Sequence, residues 1–299
     1  MKHASFPMAV ALSLTLPASV GAQARGAGAG DRTQEIYVTV LDSQGAPVTG
    51  LTAADFTVRE DGTAREVLKA GPATAPLQIA LLVDDSQAAT NALQPLREGL
   101  TAFVDAMGSL PAKSEIALIT VGERPTSRVE YTASTEQLKR GINMIFPRQG
   151  AGAYLLEGIL EASRGIAKRE SDRTVILALT FEGIEYSNLY YQNVLDELQK
   201  SGAALHVLAI GPPSGSNSDE MRNRNLVIAE GTARTGGRRD QLLAESAIPD
   251  RLRLVARELA NQYAVTYARP ETLIPPEKVL VSVSRPDLTV RARTRVAGR

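Results

Sequence analysis

Two textures alternate along this chain. Residues 36–41 and 57–60 are short β-branched and apolar runs separated by polar turns, and they read as strands. Glu60-Asp61-Gly62 predicts a tight hairpin, because Asp-Gly tolerates the positive φ of a type I′ turn, and residues 64–69 form the returning strand. From residue 77 the pattern changes. Residues 77–83, 116–121, 175–180 and 204–210 are apolar runs, as expected of strands buried on both faces of a parallel sheet. Between them, apolar residues recur at helical spacing. Leu93, Leu96, Leu100, Phe103 and Met107 mark a helix over 91–107, and Leu155, Leu156, Ile159 and Ile166 mark one over 154–168. Ser134-Thr135-Glu136 caps a helix carrying Leu138, Ile142 and Ile145. Further helices are predicted over 189–200, ended by Ser201-Gly202, and over 219–233 and 248–260. Residues 262–267, 278–284 and 288–294 return to strand.

Repeated strand–helix units predict an α/β architecture, a doubly wound and mostly parallel sheet, over residues 76–261. The N-terminal β segment, 35–71, is too small to stand alone. The C-terminal β segment, 262–299, has the character to pair with it. A small β-sandwich-like domain built from both termini is therefore expected.

The start of the chain reads differently. Lys2 and His3 precede an apolar run over 6–16, and Ala22-Gln23-Ala24 supplies the small residues of a cleavage site. This predicts a signal peptide over 1–24, cleaved after Ala24, followed by a flexible Gly-rich leader over 25–34. The expected location is secreted or periplasmic. No later stretch reaches the ~18 apolar residues of a spanning helix, so no transmembrane segment is expected. The 299 residues include no Cys, which excludes disulfides, a thiol nucleophile and thiolate zinc. Lys plus Arg equals Asp plus Glu at 33 each, so no basic excess points to nucleic acid.

The chemistry-bearing segment is Val83-Asp84-Asp85-Ser86-Gln87, at the end of the first buried strand. In open α/β sheets ligands bind at the carboxyl ends of strands. Carboxylate and hydroxyl oxygens there suit a hard divalent cation. The same residues could instead only cap the following helix and shape the loop. Tyr186, Tyr190 and Tyr191 follow a later strand end and suit either a protein-binding surface or a cover for the sheet edge. His206, the one histidine of the mature chain, lies mid-strand and reads as structural. No Gly-x-Ser-x-Gly elbow is present, and the Gly-rich stretch 231–239 lacks the Walker pattern and follows a helix. That stretch reads as a turn before an edge strand or the last helix. Arg222, Arg224, Arg238 and Arg239 are expected on the solvated surface. No catalytic constellation emerges, so an enzyme is not expected.

Asp84-Asp85-Ser86, at this strand end, resembles the von Willebrand factor A family. Its metal-ion-dependent adhesion site is Asp-x-Ser-x-Ser, completed by a Thr and an Asp on two later loops. Asp84 and Ser86 match the first two ligands, but the third position is Ala88. The Thr falls on Ala153, and the Asp meets Thr180-Phe181-Glu182-Gly183, where Glu182 is the stand-in. Residues 38–56 with Glu60-Asp61-Gly62, Thr235-Gly236-Gly237, 259–263 and 285–293 resemble an exported, acidobacterial-type subfamily. The resemblance implies a protein-binding module for adhesion or assembly, with a protein partner. It implies a degenerate site in which Asp84, Ser86 and Glu182 hold Mg²⁺ or another divalent cation. Asp85, Tyr186 and Tyr190 would then belong to the binding face. The alternative is a structural component of envelope assembly, with a vestigial metal site and contacts made by the terminal β domain.

Overall fold

The structure is a computed structural model that describes Met1 and residues 31–108, 110–111, 113–169, 171–213, 215, 218–270 and 274–295. Apart from Met1, the signal peptide expected over 1–24 lies outside the described residues.

Four strands open the described chain: β1 (Asp31–Leu41), β2 (Phe56–Glu60), β3 (Thr63–Arg65) and β4 (Val67–Pro72). The α/β part follows as β5 (Gln78–Val83), α1 (Leu93–Met107), β6 (Glu115–Thr120), β7 (Thr126–Thr132), α2 (Thr135–Asn143), α3 (Leu155–Ala167), β8 (Thr174–Phe181), α4 (Tyr191–Ser201), β9 (Ala204–Ile210), α5 (Asp219–Thr235), β10 (Arg239–Leu242) and α6 (Ile248–Ala260). Three strands close it: β11 (Tyr263–Pro270), β12 (Val279–Val283) and β13 (Thr289–Ala292).

The central sheet has the order β10-β9-β8-β5-β6-β7, parallel except for β7 at the edge. Every residue of β5 and β8 is buried, which is why both read as unbroken apolar runs. Alternate side chains serve opposite layers. Ile79, Leu81 and Val83 pack with α1, α2 and α6, whereas Ala80 and Leu82 pack with α3, α4 and α5. Each fully buried Leu, Ile, Val or Phe contributes about 1.5–3 kcal/mol. No helix among the described residues is long and apolar enough to cross a membrane.

The two chain ends fold together. β1 lies between β11 and β13, antiparallel to both, and β12 pairs antiparallel with β2. The sheets β13-β1-β11-β4 and β12-β2-β3 enclose Val38, Val40, Phe56, Val58, Tyr263 and Val265. Asp61 and Gly62 have φ of 46° and 85°, the hairpin geometry expected of Asp-Gly.

Two local expectations are corrected, and one strand is added. The single returning strand over 64–69 is two strands, broken at Glu66: β3 pairs with β2 and β4 with β11. The Glu66 carbonyl accepts the Ala268 N–H at 2.9 Å, so the chain changes sheets there. The leader expected over 25–34 is already strand from Asp31, because β11 continues to Pro270 and offers backbone partners to a polar sequence. Strand β7 is an addition to the expected elements, and it shows no apolar run because its residues are half-buried or exposed and mostly polar.

Candidate functional site

β5 ends between β8 and β6, and the next three residues, Asp84, Asp85 and Ser86, are all buried. Asp84 reaches toward β8. Its Oδ1 accepts the Ser86 N–H at 2.9 Å, and its Oδ2 accepts the Phe181 N–H at 2.9 Å and the Thr180 hydroxyl at 3.4 Å. Asp85 reaches toward β6. Its Oδ1 accepts the Gly122 N–H at 2.7 Å, and its Oδ2 lies 3.3 Å from Arg148 Nε and 3.4 Å from Arg128 Nη2. A Cβ on Gly122 would stand 2.7 Å from the Asp85 oxygen, so the approach requires glycine. Two adjacent carboxylates thus staple the ends of three strands.

This corrects two expectations. Asp85 does not belong to an open binding face; its carboxylate is turned inward and ion-paired. Nor do residues 84–86 serve as a helix cap, since Ser86 precedes the 3₁₀ turn Gln87–Ala92 and its side chain makes no capping bond.

The expectation that four arginines are solvated fails for two of them. Arg238 pairs with Asp240 and Glu258. Arg224 is buried at 2% exposure beneath the strand ends. Its Nη2 donates to Thr180 Oγ1 at 3.4 Å, and its Nη1 donates to Asn225 Oδ1 at 3.1 Å and lies 3.5 Å from Glu182 Oε2. The Thr180 hydroxyl accepts from Arg224 and donates to Asp84, so it links the guanidinium to the carboxylate. Glu182 Oε1 accepts from Gln241 at 3.3 Å. Burial pushes the Asp84 carboxyl above its usual range; the N–H of Phe181, bonds from Ser86 and the charge of Arg224 oppose this.

The divalent cation that the sequence resemblance implies would need free oxygen ligands at this position. Both oxygens of Asp84 already accept hydrogen bonds from the chain. Ala88 and Ala153 carry no oxygen ligand, and a Cβ on Gly183 would press on Ala88 at 2.9 Å. Among the described residues no group of three or more His, Cys, Asp or Glu side chains is placed to hold a metal. The position next to Asp84 and Glu182 has a guanidinium beside it. The donor set does not fit Mg²⁺, which demands near-ideal octahedral oxygen geometry.

A further carboxylate sits behind the first loop. Glu185 is buried, and its Oε1 accepts the N–H of Leu155 at 3.1 Å and of Ser187 at 3.1 Å. Ser187 Oγ accepts the N–H of Leu156 at 3.1 Å. Together they cap α3 from a neighbouring loop, where Tyr154, the residue at the N-cap, makes no side-chain bond. Glu185 Oε2 is buried with no hydrogen-bond partner. Burial pushes this carboxyl up to about 7, against hydrogen bonds from Ser187 and the charge of Arg224.

A pH effect follows. The unfolded chain releases this proton near 4.5 and the folded chain near 7, so the folded state binds more proton between the two. The stabilisation is complete below the unfolded value and is lost as pH rises through the folded one. Glu185→Gln keeps the accepting oxygen and replaces the acid O–H with an N–H. The variant is expected to match wild type near pH 4.5 and to exceed it above pH 7, by roughly 2–3 kcal/mol at most. Buried His206, pushed down to about 3 by burial, contributes the opposite slope. It is common to both proteins, so the difference between their urea-unfolding curves isolates Glu185. A difference that does not vary with pH would rule out the titration.

Tyr186 and Tyr190 remain exposed, at 46% and 58%, so they do not merely seal the sheet edge. The Tyr186 ring lies 5.9 Å from that of Tyr154, and the Tyr190 ring 4.7 Å from that of Tyr191. The structure adds exposed Phe146, Ile184 and Leu243 to the same end of the sheet. Ile184 and Leu243 follow the carboxyl ends of β8 and β10; for Ile184 the signal in sequence is an apolar residue just beyond a buried strand.

No protein-family model matches the sequence, and no curated protein matches it. Solved structures do. Proximal thread matrix protein 1 from the mussel byssus matches at TM-score 0.50 and 16% identity, over 68% of this chain and 49% of that one. The pilus adhesin SpaC from Lactobacillus rhamnosus GG matches at TM-score 0.50 and 12% identity, over 81% and 48%. A von Willebrand factor type A protein from Catenulispora acidiphila matches at TM-score 0.49 and 9% identity, over 90% and 75%. The fold shared with these structures is a mostly parallel α/β sheet with helices on both faces. At such identities the likeness is one of fold and carries no residue roles with it.

Proposed function

We propose that this chain is an exported, non-enzymatic protein-binding module, that it engages a protein partner through the carboxyl ends of its central strands, and that Arg224, in place of a divalent cation, holds that face together. The observation that carries this reading is an exposed apolar and aromatic rim, Phe146, Ile184, Tyr186, Tyr190 and Leu243, on a charge-stapled base. Tyrosine is among the residues that dominate binding at protein interfaces, and apolar neighbours exclude water around it. A pilus adhesin among the similar structures supports the reading by analogy of fold only. Export rests on the pattern of residues 1–24, and the amino terminus of protein recovered outside the cytoplasm is expected at Arg25.

Photo-crosslinkers placed separately at Tyr190, Leu243 and Lys69 in otherwise native protein test the face. Capture of one partner from Tyr190 and Leu243, unchanged by EDTA and lost on Ile184→Asp, supports the proposal. Capture from Lys69 alone would move the interface to the terminal sheets and favour the assembly reading. Capture abolished by EDTA would return a metal to the site.

A further inference from the structure

A cavity of about 480 Å³ lies on the opposite side of the molecule, between β1 of the terminal sheet and the amino ends of β8 and β9. Its lining includes four arginines, Arg173, Arg269, Arg293 and Arg295, against two acidic side chains, Glu35 and Asp172. Arg269 lies 3.6 Å from Glu60. The other three have no carboxylate within ion-pair distance among the described residues. Arg173 is buried at 2% exposure, and burial pushes its guanidinium down to about 10; burial pushes that of Arg293 down as well.

Burying a guanidinium without a counter-charge is costly. Buried Arg173 and half-buried Arg293 each have a partial answer at a helix end. Arg173 donates to the Leu259 carbonyl in the last turn of α6 and to Gln262 Oε1 at 2.9 Å. Arg293 donates to the Gly202 carbonyl just after α4. A helix carboxyl end carries roughly half a negative charge, so each balances only part of a full cation. The helix ends hold the two guanidiniums in place and leave the cavity wall positive. Among the described residues Arg293 makes a single hydrogen bond, which leaves most of its planar donor fork open toward the cavity.

We propose that this cavity binds a small organic oxyanion, with Arg293 and Arg295 gripping it over the fixed charge of Arg173. Guanidinium forks match carboxylate and phosphate oxygens in pairs. The volume falls in the range of small-molecule sites and exceeds what inorganic phosphate fills. Thr33, Gln34 and Tyr37 of β1 supply neutral polar neighbours around the charged end. The site belongs to the junction of the two β systems, so occupancy would brace the terminal sheet against the α/β layer.

The test is calorimetric titration of the mature protein with citrate, inorganic phosphate and, at matched ionic strength, sodium chloride. The proposal expects saturable one-to-one binding of citrate, weaker binding of phosphate, and none of chloride. Arg295→Gln, on the exposed wall, and Arg293→Gln are each expected to weaken citrate at least tenfold; an unfolding curve checks that both variants stay folded. Should Arg293→Gln fail to fold, Arg295→Gln alone decides. Equal heats for all three salts, or citrate binding unchanged in a folded variant, would overturn it.

Discussion

Replacing Arg224 with methionine is expected to lower the unfolding free energy by about 3–5 kcal/mol, although the substitution is hydrophobic and lands in a buried position. Breaking one side of a buried ion cluster leaves the other side uncompensated, and here the other side is Glu182 with Asp84 and Glu185 nearby. Arg222→Met, two residues away and exposed, is the control and should change stability by no more than about 0.5 kcal/mol. Adding Asp84→Asn and Glu182→Gln to Arg224→Met removes the stranded charges and should recover part of the loss. The sign of the pH effect is fixed. Arg224 lowers the carboxyls of Asp84 and Glu185, so without it both rise further. A raised carboxyl loses stabilisation as pH rises, so the deficit should be larger above pH 7 than at pH 5.

The same variant tests the cation argument. Mg²⁺ and EDTA are expected to leave the melting temperature of wild type unchanged, because the guanidinium already provides the positive charge. Arg224→Met removes the competing charge but leaves Ala88 and Ala153 without oxygen ligands, so any stability it gains from Mg²⁺ should be small. A wild-type protein that melts higher with Mg²⁺ would sink the metal-free reading. An Arg224→Met protein as stable as Arg222→Met would sink the role given to the guanidinium.

The sequence pattern carried the architecture further than the site. Strands buried on both faces announce themselves as apolar runs, which is why β5, β6, β8 and β9 were legible. Edge strands do not, and β7 and the first residues of β1 show why: backbone pairing holds them, and their side chains are polar. The acidic loop was legible as a location, since carboxylates follow the first central strand. Its chemistry was not. Spacing shows which ligands are missing at Ala88 and Ala153, but nothing in the local pattern of α5 shows that Arg224 enters the core. Its neighbours Met221, Val227 and Ile228 share the buried side of that helix, so the helical repeat held the clue. Glu185 was hidden for a similar reason: it caps a helix that starts thirty residues earlier in the chain.

A methyl group on Gly237 is expected to cost more than about 3 kcal/mol, and the variant should be recovered poorly in soluble form. The usual cost of overpacking is about 1–3 kcal/mol, because side chains can move aside. Here the obstacle is backbone: a Cβ on Gly237 would overlap the Leu205 carbonyl at the start of β9. The neighbouring residues show why nothing can shift. Thr235 Oγ1 accepts the Leu205 N–H at 2.9 Å and donates to the Gly231 carbonyl at 2.7 Å, which ties the end of α5 to β9. Gly236 ends α5 at φ 74°, and a Cβ there would meet the backbone of Ala292 in β13. The Arg238 carbonyl accepts the Val207 N–H at 2.8 Å and starts the β9–β10 ladder. Thr235-Gly236-Gly237 therefore threads between the parallel sheet and the terminal sheet, with backbone against it on both sides. Gly165→Ala in α3, where an added Cβ meets nothing within 4 Å, is the counter-case and should stabilise by about 0.5–1 kcal/mol. Urea unfolding of the two variants checks both signs. A Gly237→Ala protein as stable as wild type would mean that α5 does not end against β9, and the junction on which both β systems depend would need a different path.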